Sequence, residues 1–259
     1  MDNDSARTAA SGSKTMIVTG GSRGIGAATA RLAATRGYRV CVNYLQNESA
    51  AGSVVREIQG SGGNAMAVRA DISLEPDVMR LFETTERELG PITALVNNAA
   101  TLEAQMRLDS MDAGRLYRTF AINVIGTLIC AREAVRRMST LHGGLGGSIV
   151  NVSSGAARYG SPGEYVDYAA TKGAIETFTA GLAREVAEER IRVNAVRPGY
   201  IYTDLHAKGG EPGRVDRLKT RVPMKRGGQP GEVAVAILWL LSEEASYVTG
   251  ATIDVSGGL

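Results

Sequence analysis

The sequence predicts an α/β fold: a single-domain, doubly wound (Rossmann-like), mostly parallel seven-stranded sheet with helices on both faces. Three observations predict it. Short β-rich runs alternate with longer segments of helical periodicity, seven strands to six helices, and that alternation builds parallel sheets through crossover helices. The strand runs Met16-Ile17-Val18, Val40-Cys41-Val42 and Ala94-Leu95-Val96 are continuously apolar, as strands covered on both faces must be. A glycine-rich turn joins the first strand to the first helix.

Strands are expected over 15–19, 39–43, 65–69, 94–96, 148–152, 192–195 and 252–255, and helices over 24–36, 48–60, 75–89, 112–138, 164–188 and 231–241. Between strand six and the last helix runs an irregular stretch, 198–228, with six glycines and three prolines. A connection that long inside a compact domain is usually functional, and it is read as a substrate lid. Residues 1–13 are polar and small with no apolar core, so they read as a flexible leader and not a signal peptide. The domain proper is expected over 14–259.

Bulk composition excludes several classes. Lys and Arg total 29 against 27 Asp and Glu, spread along the chain, so no basic stripe marks a nucleic-acid partner. The longest apolar run, 233–241, falls short of the roughly 18–20 residues of a membrane span. Cys41 and Cys130, the only cysteines, lie in apolar runs; they read as small core residues in a reducing, cytoplasmic setting. No His, Cys or carboxylate cluster has metal-ligand spacing, so no metal is expected.

The turn after the first strand reads Thr19-Gly20-Gly21-Ser22-Arg23-Gly24-Ile25-Gly26. Glycines there let the backbone turn tightly and approach a pyrophosphate, which sits against the positive end of the helix. The spacing Gly-x-x-x-Gly-x-Gly differs from the commonest dinucleotide fingerprint. Further on stand Asp71-Ile72 after the third strand, Asn97-Asn98-Ala99-Ala100 after the fourth, Asn123, Ser154, Tyr168-x-x-x-Lys172, Pro198-Gly199 and Thr203. Together these resemble the short-chain dehydrogenase/reductase family, the resemblance covering essentially everything after residue 13. Ala100 stands where the family has glycine.

NAD sites usually place an acid at the end of the second strand, about 20 residues on, to hold the ribose hydroxyls. Here the strand ends in Asn43-Tyr44, and the next acid is Glu48. An amide does not repel a 2′-phosphate, and Arg23 is similar to the basic residue that NADP-preferring relatives aim at it. NADP is therefore the expected cofactor, with NADPH preferred at least tenfold, about 1.4 kcal/mol. By resemblance Gly20, Ser22, Gly24, Ile25 and Gly26 cradle the phosphates, Asp71 and Ile72 flank the adenine, and Asn98, Ala99 and Ala100 line the cofactor. Pro198, Gly199, Ile201 and Thr203 flank the nicotinamide.

Tyr168 and Lys172 are four apart in a helix and share a face. Hydride transfer to a carbonyl builds alkoxide, which needs a proton donor within reach. A phenol serves if its pKa, ordinarily near 10, is brought down by neighbouring positive charge. The resemblance accordingly implies Tyr168 as general acid or base, with Lys172 lowering its pKa and holding the nicotinamide ribose. It further implies Ser154 bonding the substrate oxygen and Asn123 anchoring a water that links Lys172 to solvent. Ser153 and Ser154 are adjacent, so only one can face the site; Ser154 is preferred. The Ser154-to-Tyr168 interval is one residue longer than the family's, and Tyr165 has alanine, not lysine, four residues on. Thr101, Leu102, Ala156, Tyr165, Tyr200, Leu205 and His206 are expected to wall the substrate pocket.

The expected activity is NADP(H)-dependent hydride transfer to or from a carbonyl or secondary alcohol such as a sugar, small ketone or 3-oxoacyl group. A serine hydrolase fails on inventory: there is no Gly-x-Ser-x-Gly elbow, and only His142 and His206 are available. A dinucleotide-binding sensor without catalysis remains the alternative, since fold alone does not give function. The 231–241 helix and the last strand resemble surfaces through which the family forms tetramers or dimers.

Overall fold

The structure, a computed structural model, describes residues 14–259; the leader expected over 1–13 lies outside them. Seven strands form one sheet in the order β3-β2-β1-β4-β5-β6-β7, every pairing parallel. They are β1 (Thr15–Val18), β2 (Arg39–Tyr44), β3 (Ala65–Arg69), β4 (Ile92–Asn97), β5 (Gly147–Val152), β6 (Ile191–Pro198) and β7 (Thr252–Val255). The order reverses between β1 and β4, and ligands of such sheets bind at the carboxyl ends beside that switch.

Successive side chains of a strand face opposite sides, and the core is split accordingly. Met16 and Val18 of β1 belong to one apolar cluster and Ile17 between them to another. The first cluster is closed by α1 (Gly24–Thr35), α2 (Glu48–Gly60) and α10 (Pro230–Leu241). The second is closed by α3 (Glu75–Leu89), α5 (Gly126–Met138) and α7 (Val166–Glu185). Local signals fix the ends: the Asn47 side chain accepts from Ala50 N at 2.9 Å to cap α2, and Gln229 with Glu232 forms a capping box on α10. Among the described residues no helix is long and apolar enough to cross a membrane.

Two elements depart from the sequence reading. The helix expected over 112–138 is broken into α4 (Ala113–Phe120) and α5 by a π-helical turn, Ala121–Ile125, centred on Asn123. The 198–228 stretch is not wholly irregular but carries α8 (Leu205–Lys208) and α9 (Arg214–Leu218). The residue added between Ser154 and Tyr168 is taken up by α6 (Ala156–Tyr159) and three left-handed residues, Gly160, Ser161 and Gly163.

Below the site, one ion-pair chain fastens the sheet edge. Arg197 of β6 binds Glu176 of α7 at 2.6 Å and Asp254 of β7 at 2.7 Å, and Asp254 meets Arg158 of α6 at 3.0 Å. Arg197 is the residue before Pro198, so this chain holds the end of β6 on which the Pro198-Gly199 turn rests.

Candidate active site

Two adjoining clefts open at the carboxyl end of the sheet, of about 270 Å³ and about 130 Å³. They share Ile25, Asn98, Ala100, Thr203 and Leu205.

The larger is floored by the glycine turn. Gly20 takes φ +61°, and a Cβ there would lie 2.9 Å from the Ala99 Cα. At Gly26 a Cβ would come within 2.4 Å of the Gly20 carbonyl and 2.5 Å of the Asn98 amide. Glycine is thus enforced at Gly20 by conformation and packing and at Gly26 by packing alone. Asn98 sustains the turn, donating to the carbonyls of Thr19 (2.9 Å) and Gly20 (3.0 Å). Thr19 Oγ1 in return accepts from the backbone N–H of Asn98 and Ala99, at 3.0 and 3.1 Å.

Asn43 is buried. Its Oδ1 accepts from Gly20 N at 3.2 Å and its Nδ2 donates to Ala70 O at 3.0 Å. The amide is therefore spent on tying β2 to the turn and to the end of β3. Beyond Tyr44, the cleft wall continues in Leu45, Gln46 and Asn47, with Asp71 and Ile72 opposite. No carboxylate stands at the end of β2, and Arg23, exposed at the start of α1, lines the same wall.

The smaller cleft holds Ser154, Tyr168 and Lys172 together, with Pro198, Gly199 and Ile201. Tyr168 and Lys172 are buried on one face of α7, the ammonium 5.5 Å from the tyrosine ring centre. Lys172 Nζ donates to the carbonyl of Val152 at 2.8 Å. Burial pushes the Tyr168 hydroxyl up to about 12, opposed by a hydrogen bond with Ser154. Burial likewise brings Lys172 down to about 8. In the chain by itself, then, burial raises the phenol's pKa and does not lower it.

Both adjacent serines line the smaller cleft: Ser153 is buried with its hydroxyl donating to Glu176 at 2.7 Å, whereas the Ser154 hydroxyl, which accepts from Ala156 N at 3.2 Å, has no such carboxylate partner. Asn123 lies in neither cleft wall. Its Oδ1 accepts from Thr101 N at 2.7 Å, and its Nδ2 donates to Thr101 O at 3.0 Å and Thr171 Oγ1 at 3.2 Å. The side chain is committed to those partners.

Leu102, Ala156, Tyr165, Tyr200, Leu205 and His206 wall the smaller cleft as expected, while Thr101 lines the larger. Tyr165 is fixed by donating to the Gly209 carbonyl at 3.0 Å. Burial, then the nearby Arg214 charge, lowers the His206 pKa. Residues that sequence reading missed include Tyr159, Ser161, Arg214 and Leu259 in the smaller cleft and Gln46, Asn47 and Lys208 in the larger. Arg214 and Lys208 reach their walls through the fold of the 198–228 excursion, for which no local periodicity gives a signal.

The chain is similar in sequence and fold to known oxidoreductases. Residues 20–259 match a family profile described as enoyl-(acyl carrier protein) reductase. An uncharacterized oxidoreductase of Escherichia coli (strain K12), YgfF, is 58% identical over 93% of this chain and 98% of its own. Glucose 1-dehydrogenase 2 of Bacillus subtilis (strain 168) is 38% identical over 95% of this chain and 94% of its own. Among solved structures, a short chain dehydrogenase from Burkholderia cenocepacia J2315 in complex with NADP superposes with a TM-score of 0.87 at 30% identity. That match covers 95% of this chain and 97% of the other.

Proposed function

The chain belongs to the short-chain dehydrogenase/reductase family of oxidoreductases, and from that premise we propose that it is an NADP(H)-dependent enzyme interconverting a carbonyl and a secondary alcohol, with Tyr168 as proton donor and acceptor. The observation that carries this reading is the cluster of Ser154, Tyr168 and Lys172 in one cleft continuous with a glycine-cradled one.

The larger cleft fits a dinucleotide. The cradle at Gly20 and Gly26 is space that a Cβ would fill, and α1 presents its N-terminal amides to a phosphate. Gly20, Ser22, Gly24, Ile25 and Gly26 would hold the diphosphate, Asp71 and Ile72 the adenine, and Asn98, Ala99 and Ala100 the middle of the molecule. Pro198, Gly199, Ile201 and Thr203 would flank the nicotinamide. Asn43 and Tyr44 end β2 without charge, and Arg23 would meet a 2′-phosphate. When bound, the reduced nicotinamide supplies a hydride and the oxidised one accepts it.

The chain's own residues handle the proton. Ser154 donates to the substrate oxygen and orients it toward Tyr168. In reduction the Tyr168 hydroxyl gives its proton to that oxygen as alkoxide develops; in oxidation it withdraws the proton. A phenol held at about 12 keeps its proton at neutral pH but gives it up less readily than an ordinary phenol, and the phenolate that oxidation needs as base is scarce. The charge of Lys172 must therefore be felt by the phenolate, favouring the anion by about 1.36 kcal/mol for each unit of pKa it removes. Asn123 acts through position: it fixes Thr101 and Thr171, and its main chain opens the route between Lys172 and solvent.

The substrate is a modest polar carbonyl compound of the sugar, small-ketone or 3-oxoacyl type, covered by the 198–228 lid. The smaller cleft supports this, mixing Leu102, Leu205 and Ala156 with His206, Tyr165 and Ser161. The reading includes a cytoplasmic homo-oligomer, tetramer or dimer, supported by two buried free thiols and by exposed apolar side chains on and after α10, Val235 and Tyr247. A solution mass of one chain would overturn the assembly.

The test is NADPH oxidation across a carbonyl panel with wild type and Tyr168→Phe. Turnover in the wild type and its loss in the variant support the reading; cofactor binding with no turnover across the panel overturns it. Arg23→Ala should weaken NADPH binding and leave NADH binding unchanged.

A further inference from the structure

Arg23 is not the only cation on the cofactor side. Lys208, the last residue of α8, lines the same cleft as Arg23, approaching it from the lid. The two sense one another: after burial, the Arg23 charge is what lowers the Lys208 pKa. Among the described residues neither is within 4.0 Å of a carboxylate. The acids near them are otherwise engaged or apart. Asp71 Oδ1 accepts from Ser73 N and Oγ at 2.9 and 2.7 Å, and Glu103 is held by Arg118 through two contacts of 3.1 Å. Asp204 stands one turn before Lys208 and forms no ion pair with it. Two like charges converging on one cleft repel unless an anion lies between them.

We propose that Lys208 is a second phosphate-binding residue, gripping a phosphate of the bound dinucleotide from the lid side while Arg23 holds the turn side. The proposal rests on the cofactor reading above and adds to it a residue that the glycine turn and β2 do not supply. Its consequence is coupling. A Cβ at Gly24 would lie 3.2 Å from Thr203 Cγ2, so the segment leading into α8 passes within about one methyl group of the turn. Thr203 and Leu205 wall both clefts, and His206 walls the substrate one. A phosphate that fixes Lys208 thereby fixes the side chains one turn earlier that shape the substrate wall. The lid reads cofactor and substrate with the same short helix.

Lys208 is exposed, so its replacement leaves the core intact. Binding of NADPH and NADH is titrated by nicotinamide fluorescence, and of adenosine 2′,5′-bisphosphate by its displacement of NADPH, for wild type, Lys208→Met and Lys208→Arg. Lys208→Met should weaken NADPH about tenfold, or ~1.4 kcal/mol, with Lys208→Arg restoring most of it and the salt dependence of binding becoming shallower. A loss confined to NADPH and the bisphosphate assigns the contact to the 2′-phosphate; an equal loss with NADH assigns it to the diphosphate. NADPH binding unchanged in Lys208→Met overturns the proposal. Equal wild-type affinity for NADPH and NADH would instead remove the NADP preference, leaving the Lys208 contact to be judged by its own variants.

Discussion

The side-chain amide of Asn123 closes on both main-chain groups of Thr101, accepting from its N–H at 2.7 Å and donating to its carbonyl at 3.0 Å. This pairing does for the chain after β4 what a further strand would do: it satisfies the backbone of a buried residue, here from a helix. It also explains the π-turn. An extra residue in the helical ladder at Ala121–Ile125 swings Asn123 inward to where Thr101 and Thr171 lie, and such bulges recur at functional sites.

Asn123→Ala should therefore cost stability and blunt the site together. It strands two buried backbone groups, each worth about 1–3 kcal/mol when left unpaired. Urea unfolding should show a loss of about 2–6 kcal/mol. Because Thr101 lines the larger cleft and Leu102 after it the smaller, KM for the carbonyl should rise and NADPH affinity should fall with it. An Asn123→Ala protein as stable as wild type would refute the clamp.

A buried ion pair sits beside Tyr168. Arg115 of α4 grips Asp167 of α7 at 2.8 and 3.2 Å, both side chains at most 4% exposed, and spends a third donor on Ala104 O at 2.6 Å. Removing one partner of such a pair typically costs about 3–5 kcal/mol because the other is left charged and dry, whereas an apolar pair in its place is often neutral. Arg115→Met and Asp167→Leu should each destabilise strongly and the double variant much less, as read by denaturant midpoints. Additive losses would show that the two do not act as a pair.

At the glycine turn, Gly26→Ala should abolish dinucleotide binding. The added methyl has nowhere to go between the Gly20 carbonyl and the Asn98 amide, and displacing either unmakes the cradle. Gly181→Ala in α7 is the matched control, since nothing lies within 4 Å of its Cβ position; helix propensity favours alanine there by about 1 kcal/mol. Cofactor titration of the two proteins makes the comparison, and wild-type affinity in Gly26→Ala would sink the steric argument.

Much of this was legible in the chain. Seven strands, their continuous apolarity and the glycine turn after β1 specify a doubly wound sheet with its clefts at the switch between β1 and β4, because periodicity and crossover handedness are local. Tyr168 and Lys172 share a cleft because four residues make one helical turn. What could not be read is long-range. Nothing around Asn43 says that its amide turns inward to Gly20 and Ala70 instead of outward to a ribose. The π-turn at Asn123 has ordinary helix composition on both sides. Lys208 and Arg214 reach the clefts only through the path of the excursion, whose short helices are fixed by contacts such as Arg214 with Glu164 at 2.5 Å and not by periodicity.

The pKa of Lys172 makes the last prediction. Burial brings the ammonium from an ordinary 10.5 down to about 8, so between those values the unfolded chain binds a proton that the folded chain has released. Stability must then rise with pH across that window. Below about 8 the full penalty of a buried charge is present, and it fades as pH climbs toward 10.5. Tyr168 shifts the other way, from 10 up to about 12; its contribution is constant below pH 10 and is lost only as pH rises toward 12. The range from pH 8 to 10 therefore isolates the lysine. Urea unfolding of cofactor-free wild type and Lys172→Met at half-unit steps should show the wild type gaining on the variant by on the order of 2 kcal/mol across it. Groups common to both proteins cancel in the difference. A flat difference would mean that the amine is neither desolvated nor perturbed as its place beneath Tyr168 requires.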